Sequence, residues 1–178
     1  MDNSPESMAV QAKQAYQAGK FSSASELFLQ AEDAYRNIGD GLLAAEMANN
    51  RSVALLQAGD APGALAACMD THQVFANTGD SLREGFALGN QAAALKEMGQ
   101  KKESLRLYRL AADRLHQAGD KENLAIVHKT IAALEMENGD NLGAMSAMLD
   151  ALRAKQKLTL REKIMRKLFS LASRLMPK

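Results

Sequence analysis

The chain has 178 residues, 47% of them hydrophobic, enough for one compact domain or a short repeat array. Its net charge of +1 lacks the basic excess of a nucleic-acid binder. The single cysteine, Cys68, excludes an intrachain disulfide, and no stretch approaches the roughly 20 apolar residues of a membrane span.

The N-terminal stretch MDNSPESMAVQAK has no basic start and no long apolar run, so it does not read as a signal peptide. A cytoplasmic location is expected, peripheral at a membrane if the C-terminal segment is an anchor. Glycine then sets a rhythm. Gly19, Gly39, Gly59, Gly79, Gly99, Gly119 and Gly139 fall every 20 residues, followed by Lys20, Asp40, Asp60, Asp80, Gln100, Asp120 and Asp140. Glycine takes the left-handed conformation that ends a helix, and aspartate caps the start of the next. Each segment therefore predicts a helix of about 16 residues, roughly 25 Å long.

The helix recurs every 20 residues, but the side chains recur every 40, so the unit is a helix pair. Positions 12, 52, 92 and 132 are Ala, Ser, Ala and Ala; positions 24, 64, 104 and 144 are Ala, Ala, Ser and Ala. Positions 31, 71, 111 and 151 are Ala, Thr, Ala and Ala. Such columns of small residues mark close helix crossings. Phe28, Cys68, Tyr108 and Met148, with Tyr35, Phe75 and Leu115, are the expected fillers between them. Most of the ten methionines are also expected in the core.

The pattern resembles the tetratricopeptide repeat. Ser52, Gly59, Ala64, Cys68 and Thr71 stand in that family's slots, as do Ala92, Gly99, Ser104, Tyr108 and Ala111. The 40-residue period and "LGNQAAALKEMG" look most like the extended repeats of the Pins/LGN and kinesin-light-chain type. The resemblance covers about residues 5–156 of an expected repeat domain at 1–156, with motifs at about 5–38, 41–78, 81–118 and 121–156. It departs from the family in lacking the Pro that closes the second helix, and in Thr130 and Glu135 of the fourth motif.

The implied fold is all-α: a right-handed superhelical solenoid of antiparallel helix pairs, four repeats followed by a C-terminal amphipathic helix. The implied function is an adaptor or scaffold that takes a peptide or helix of another protein in a concave groove. The family's groove positions fall on Lys13 and Tyr16, on Glu46, Asn49, Asn50 and Val53, on Phe86, Asn90 and Ala93, and on Ile126 and Lys129. Asn50 and Asn90 are 40 residues apart, and an asparagine offers a peptide backbone both a donor and an acceptor. "NRSVALLQAGD" also resembles the co-chaperones that clamp heat-shock-protein tails. The three basic slots of that clamp hold Ala9, Phe86 and Asn90 here, so that role is rejected.

No catalytic set, cofactor loop or zinc spacing is visible, and an enzyme is not expected. Cys68 and His72 share a helix face, but Cys68 occupies the filler column and reads as core.

After residue 156 the pattern changes. Thr159 and Glu162 form a capping box that starts a helix. Leu160, Ile164, Met165, Leu168, Phe169, Leu171, Ala172, Leu175 and Met176 fall on one half of a helical wheel, with Arg161 intruding. Lys163, Arg166, Lys167 and Arg174 make the other half basic. Residues 151–178 hold nine basic residues against Glu162, a net of +8, whereas residues 1–150 carry −7. Three roles fit such a helix: a cap over Met145, Met148, Leu149 and Leu152 of the last repeat, an anchor on an anionic membrane or a partner, or a strap docked on the acidic body.

Overall fold

The structure is a computed structural model that describes residues 4–155 and 157–175, with side chains described as far as Ser173. Arg174 of the expected basic face and Leu175 and Met176 of the apolar one have side chains outside the described residues. The regular structure of the described residues is entirely helical, without strands. In chain order the helices are α1 Pro5–Gln17, α2 Phe21–Asn37, α3 Gly41–Gln57, α4 Ala61–Cys68, α5 Thr71–Asn77, α6 Ser81–Glu97, α7 Lys101–Gln117, α8 Lys121–Glu137, α9 Asn141–Ala154 and α10 Leu160–Leu175.

The glycine rhythm builds this order. All seven glycines at the 20-residue interval have positive φ, from +71° to +87°. Each closes its helix with the same two bonds: Gly59 N–H donates to Leu56 O at 3.1 Å and Asp60 N–H to Leu55 O at 2.9 Å. Aspartate then opens the next helix. The carboxylates of Asp40, Asp60, Asp80, Asp120 and Asp140 each accept the N–H three residues on, at 2.8–3.0 Å. Lys20 and Gln100 make no such bond. Helices α2, α3, α6, α7 and α8 run 17 residues each, one more than expected.

One segment departs from the expected single helix. Between Gly59 and Gly79 the chain forms α4, of 8 residues, and α5, of 7, broken at Met69 and Asp70. The carbonyls freed by the break find side-chain donors. The Thr71 hydroxyl donates to Cys68 O at 2.9 Å, and Gln91 Nε2 donates to Cys68 O at 2.7 Å and Met69 O at 2.8 Å. Gln91 belongs to α6 and is buried, so a side chain from the next helix stabilises the break.

Consecutive helices pack on each other except for the short pieces α4 and α5, each of which packs on α3 and α6, and α3 also touches α6. The core runs along the chain as separate clusters. One joins α1 to α3 around Phe28, Tyr35 and Met47; another joins α6 to α9 around Leu88, Tyr108, Leu115 and Leu134. A small cluster of Ala45, Phe75 and Ala87 lies between them. All twelve residues of the three small-residue columns are buried. The fillers are buried too, except Met148, which is half-buried. Of the methionines, Met47 is buried and Met8 and Met148 are half-buried against the core clusters, but Met69, Met98 and Met136, near helix ends and the α4 break, are exposed.

Two clefts repeat the 40-residue period in three dimensions. One of about 300 Å³ is lined by His72, Leu88, Gln91 and Glu103 among others. The second, of about 240 Å³, is lined by Ala112, His128, Ile131 and Gly143, each 40 residues further on.

Candidate partner-binding groove

Glu46, Asn49, Asn50 and Val53 follow the i, i+3, i+4, i+7 spacing, so they share one face of α3. Phe86, Gly89, Asn90 and Ala93 share the equivalent face of α6. The structure brings these two faces together. Asn90 Nδ2 donates to Asn49 Oδ1 at 2.9 Å. Glu46 Oε2 lies 3.8 Å from Arg83 Nη1 of α6. Arg83 in turn pairs with Asp80 at 3.2 Å and sits 5.9 Å from the centre of the Phe75 ring. The equivalence of Asn50 and Asn90 suggests one row, but the bond joins Asn90 to Asn49 instead. The Asn50 side chain, half-buried, makes no hydrogen bond among the described residues. Val53, Phe86 and Ala93 are half-buried, and Phe86 and Ala93 pack against the α6–α9 core.

The outer groove positions stand apart from this centre. Tyr16 is half-buried, its ring 5.4 Å from that of Phe21 at an angle of 59°, and it is engaged in closing α1 on α2. Lys13 is exposed and makes no ion pair with a described residue. Ile126 and Lys129 on α8 are exposed and line a cleft of about 500 Å³ with Glu122, Ala125, Lys155 and Lys157. That end is cationic, whereas the centre is neutral amide with one acid–base pair. Sequence reasoning missed Arg83, whose register on α6 was legible but whose reach to Glu46 was not. It also missed Lys155 and Lys157, which lie at the very end of the fourth repeat and just past it.

The remaining polar groups are spent on the fold. Cys68 is fully buried, its thiol donates to Ala64 O at 3.2 Å, and burial pushes its pKa up, away from a nucleophilic thiolate. The His72 ring meets Gln91 Nε2 through Nδ1 at 3.0 Å. Burial lowers the pKa of His128, opposed by the carboxylates of Asp150 and Asp113. Among the described residues no group of three or more His, Cys, Asp or Glu side chains is placed to hold a metal ion. None of the described helices is long and apolar enough to cross a membrane. No protein-family model and no curated protein matches the chain.

Proposed function

We propose that the chain is a protein–protein interaction adaptor, a tetratricopeptide-like solenoid that takes a peptide or helix of another protein on the shared face of α3, α6 and α8. The observation that carries this reading is the asparagine centre. Two neighbouring helices present amides at one place, joined at 2.9 Å through Asn49 and Asn90, with the Asn50 amide left unspent beside them. Amides so placed offer donors and acceptors to a peptide backbone without the desolvation cost of a charge. Half-buried Val53, Phe86 and Ala93 supply apolar contact on either side. The recurrence of one cleft after 40 residues, and a core laid out in series, support the solenoid. The chain has no enzymatic role in this reading.

The test is affinity purification from native lysate with the full chain as bait, followed by titration of the recovered protein. Asn50→Ala combined with Asn90→Ala is expected to weaken binding by about 0.5–1.5 kcal/mol per lost bond. Thermal unfolding should change little, because both side chains are only half-buried. Unchanged affinity in the double variant overturns the groove; a collapsed melting transition makes the asparagines structural.

A further inference from the structure

Helix α10 makes its one extended contact among the described residues with α9. The capping box starts it, with Thr159 N–H donating to Glu162 Oε2 at 2.9 Å and Glu162 N–H to Thr159 Oγ1 at 3.3 Å. Lys155 Nζ holds the same glutamate at 2.7 Å, and these bonds depress its carboxyl pKa to about 2. The sole acid of the segment is thereby tied to the end of α9.

The apolar half of α10 divides into two sides. Met165, Phe169 and Ala172 are half-buried, and Leu149 and Leu152 of α9 are buried. Leu160, Ile164, Leu168 and Leu171 are 76%, 51%, 59% and 57% exposed. At about 100° per residue these four span roughly 80° of the helix, centred roughly 100° away from the half-buried trio. The cap and the open stripe are thus separate faces of one helix. Cations border the stripe on both sides: Lys163 and Lys167 on one, Arg161 on the other, all exposed. Beside it, a cleft of about 520 Å³ between α9 and α10 is lined by Leu149, Arg153, Arg166, Lys167, Ser170 and Leu171. Arg153 is partly engaged there by Asp150 at 3.0 Å.

We infer that α10 docks the protein on an anionic membrane surface, lying in the interface with Leu160, Ile164, Leu168 and Leu171 inserted. Charge complementarity chooses this occupant. A helix lying in an interface puts an apolar stripe below the headgroups and lysines at their level on both flanks, which is the order found here. The cleft places Arg166 and Lys167 next to Leu171, where a headgroup phosphate sits when the neighbouring leucine is inserted. The net of −7 over residues 1–150 keeps the repeats off the same surface, so the protein stands on its tail with the groove free. This docking is independent of the groove, and neither fails with the other.

Flotation of the full chain with phosphatidylcholine vesicles, with and without about one third phosphatidylserine, tests it. Binding is expected only to the anionic vesicles and is expected to fall steeply with salt. Lys163→Glu with Lys167→Glu should weaken it at least 25-fold, at about fivefold for each cation lost. Leu168→Asp should remove it, and its exposed position leaves the circular-dichroism melt unchanged. Absence of binding to anionic vesicles overturns the proposal, as does binding that survives both variants. A concentration-dependent dimer of the wild type that Leu168→Asp dissolves, without vesicle binding, would give the stripe to a second copy instead.

Discussion

Helices α2 and α3 meet through an ion pair where α5 and α6, 40 residues on, meet through an amide and an imidazole. Glu32 is buried and accepts from Arg36 at 2.6 Å, with Arg51 of α3 at 3.0 Å on its other oxygen. At the equivalent positions, His72 Nδ1 and Gln91 Nε2 are 3.0 Å apart. The third pair in the series is Ala112 and Ile131, both buried. One seam therefore takes charge, amide and hydrocarbon in turn, while the surrounding small-residue columns stay buried throughout. The backbone responds to only one of the three. An amide carries two N–H groups, and three acceptors lie within reach of Gln91: the carbonyls of Cys68 and Met69 and the His72 ring. With donors supplied from α6, the chain can open at Met69 and Asp70 without stranding buried carbonyls. Helix α7 passes the equivalent point unbroken, facing Ile131, which has nothing to donate.

The charged level should be the most sensitive. Glu32→Ala leaves the half-buried Arg51 without its partner and is expected to cost about 2–4 kcal/mol, below the full figure for a buried pair because Arg51 keeps some solvent. Glu32→Ala with Arg51→Ile copies the Ala112–Ile131 level and should recover most of that loss, because a packed apolar pair replaces a buried ion pair at little or no net cost. Urea unfolding of both variants gives the comparison. A double variant as unstable as the single one would mean that the seam is specific to charge, and the equivalence of the three levels would fail.

The amide level comes next. Gln91→Leu keeps the bulk but removes the donors, leaving the Met69 carbonyl without its side-chain partner and Cys68 O with Thr71 alone. The expected cost is about 1–3 kcal/mol, the range for a buried group left unpaired. Amide hydrogen exchange should rise around residues 69–73 in particular, and exchange that rises evenly across α4 and α5 would assign the break to something other than Gln91.

The difference between these levels also marks how much was legible. Everything repeated along the chain could be read: glycine every 20 residues gave seven helix ends, and three columns of small residues gave twelve buried positions. What depended on a reach between helices could not. The carbonyls freed at the α4 break are satisfied by a side chain more than 20 residues away, which no local propensity at Met69 and Asp70 reveals. The residues expected to face one another on α3 and α6 do meet, but Asn90 bonds to Asn49 and not to its equivalent Asn50, since neighbouring helices are offset as they pack. For α10 a helical wheel showed one apolar half; only the contact with α9 divides it into a covered and an open side.

The apolar level should respond least. Ile131 is 5% exposed and Ala112, across the seam, 4% exposed, so the pair itself is buried hydrocarbon and neither side chain has a polar atom to strand. Ile131→Val removes one methylene from it. The loss combines the transfer of that group, about 0.8 kcal/mol, with whatever small cavity remains, for an expected total of about 0.5–1.5 kcal/mol. The small size of Ala112 limits how far α7 can move in to fill the gap, which argues for the upper half of the range. The urea midpoint should fall while the slope stays unchanged, because the surface exposed on unfolding is nearly the same. A loss as large as that of Glu32→Ala would reverse the ranking of the three levels. It would place the strongest constraint of the seam in shape rather than in the pairing of polar groups.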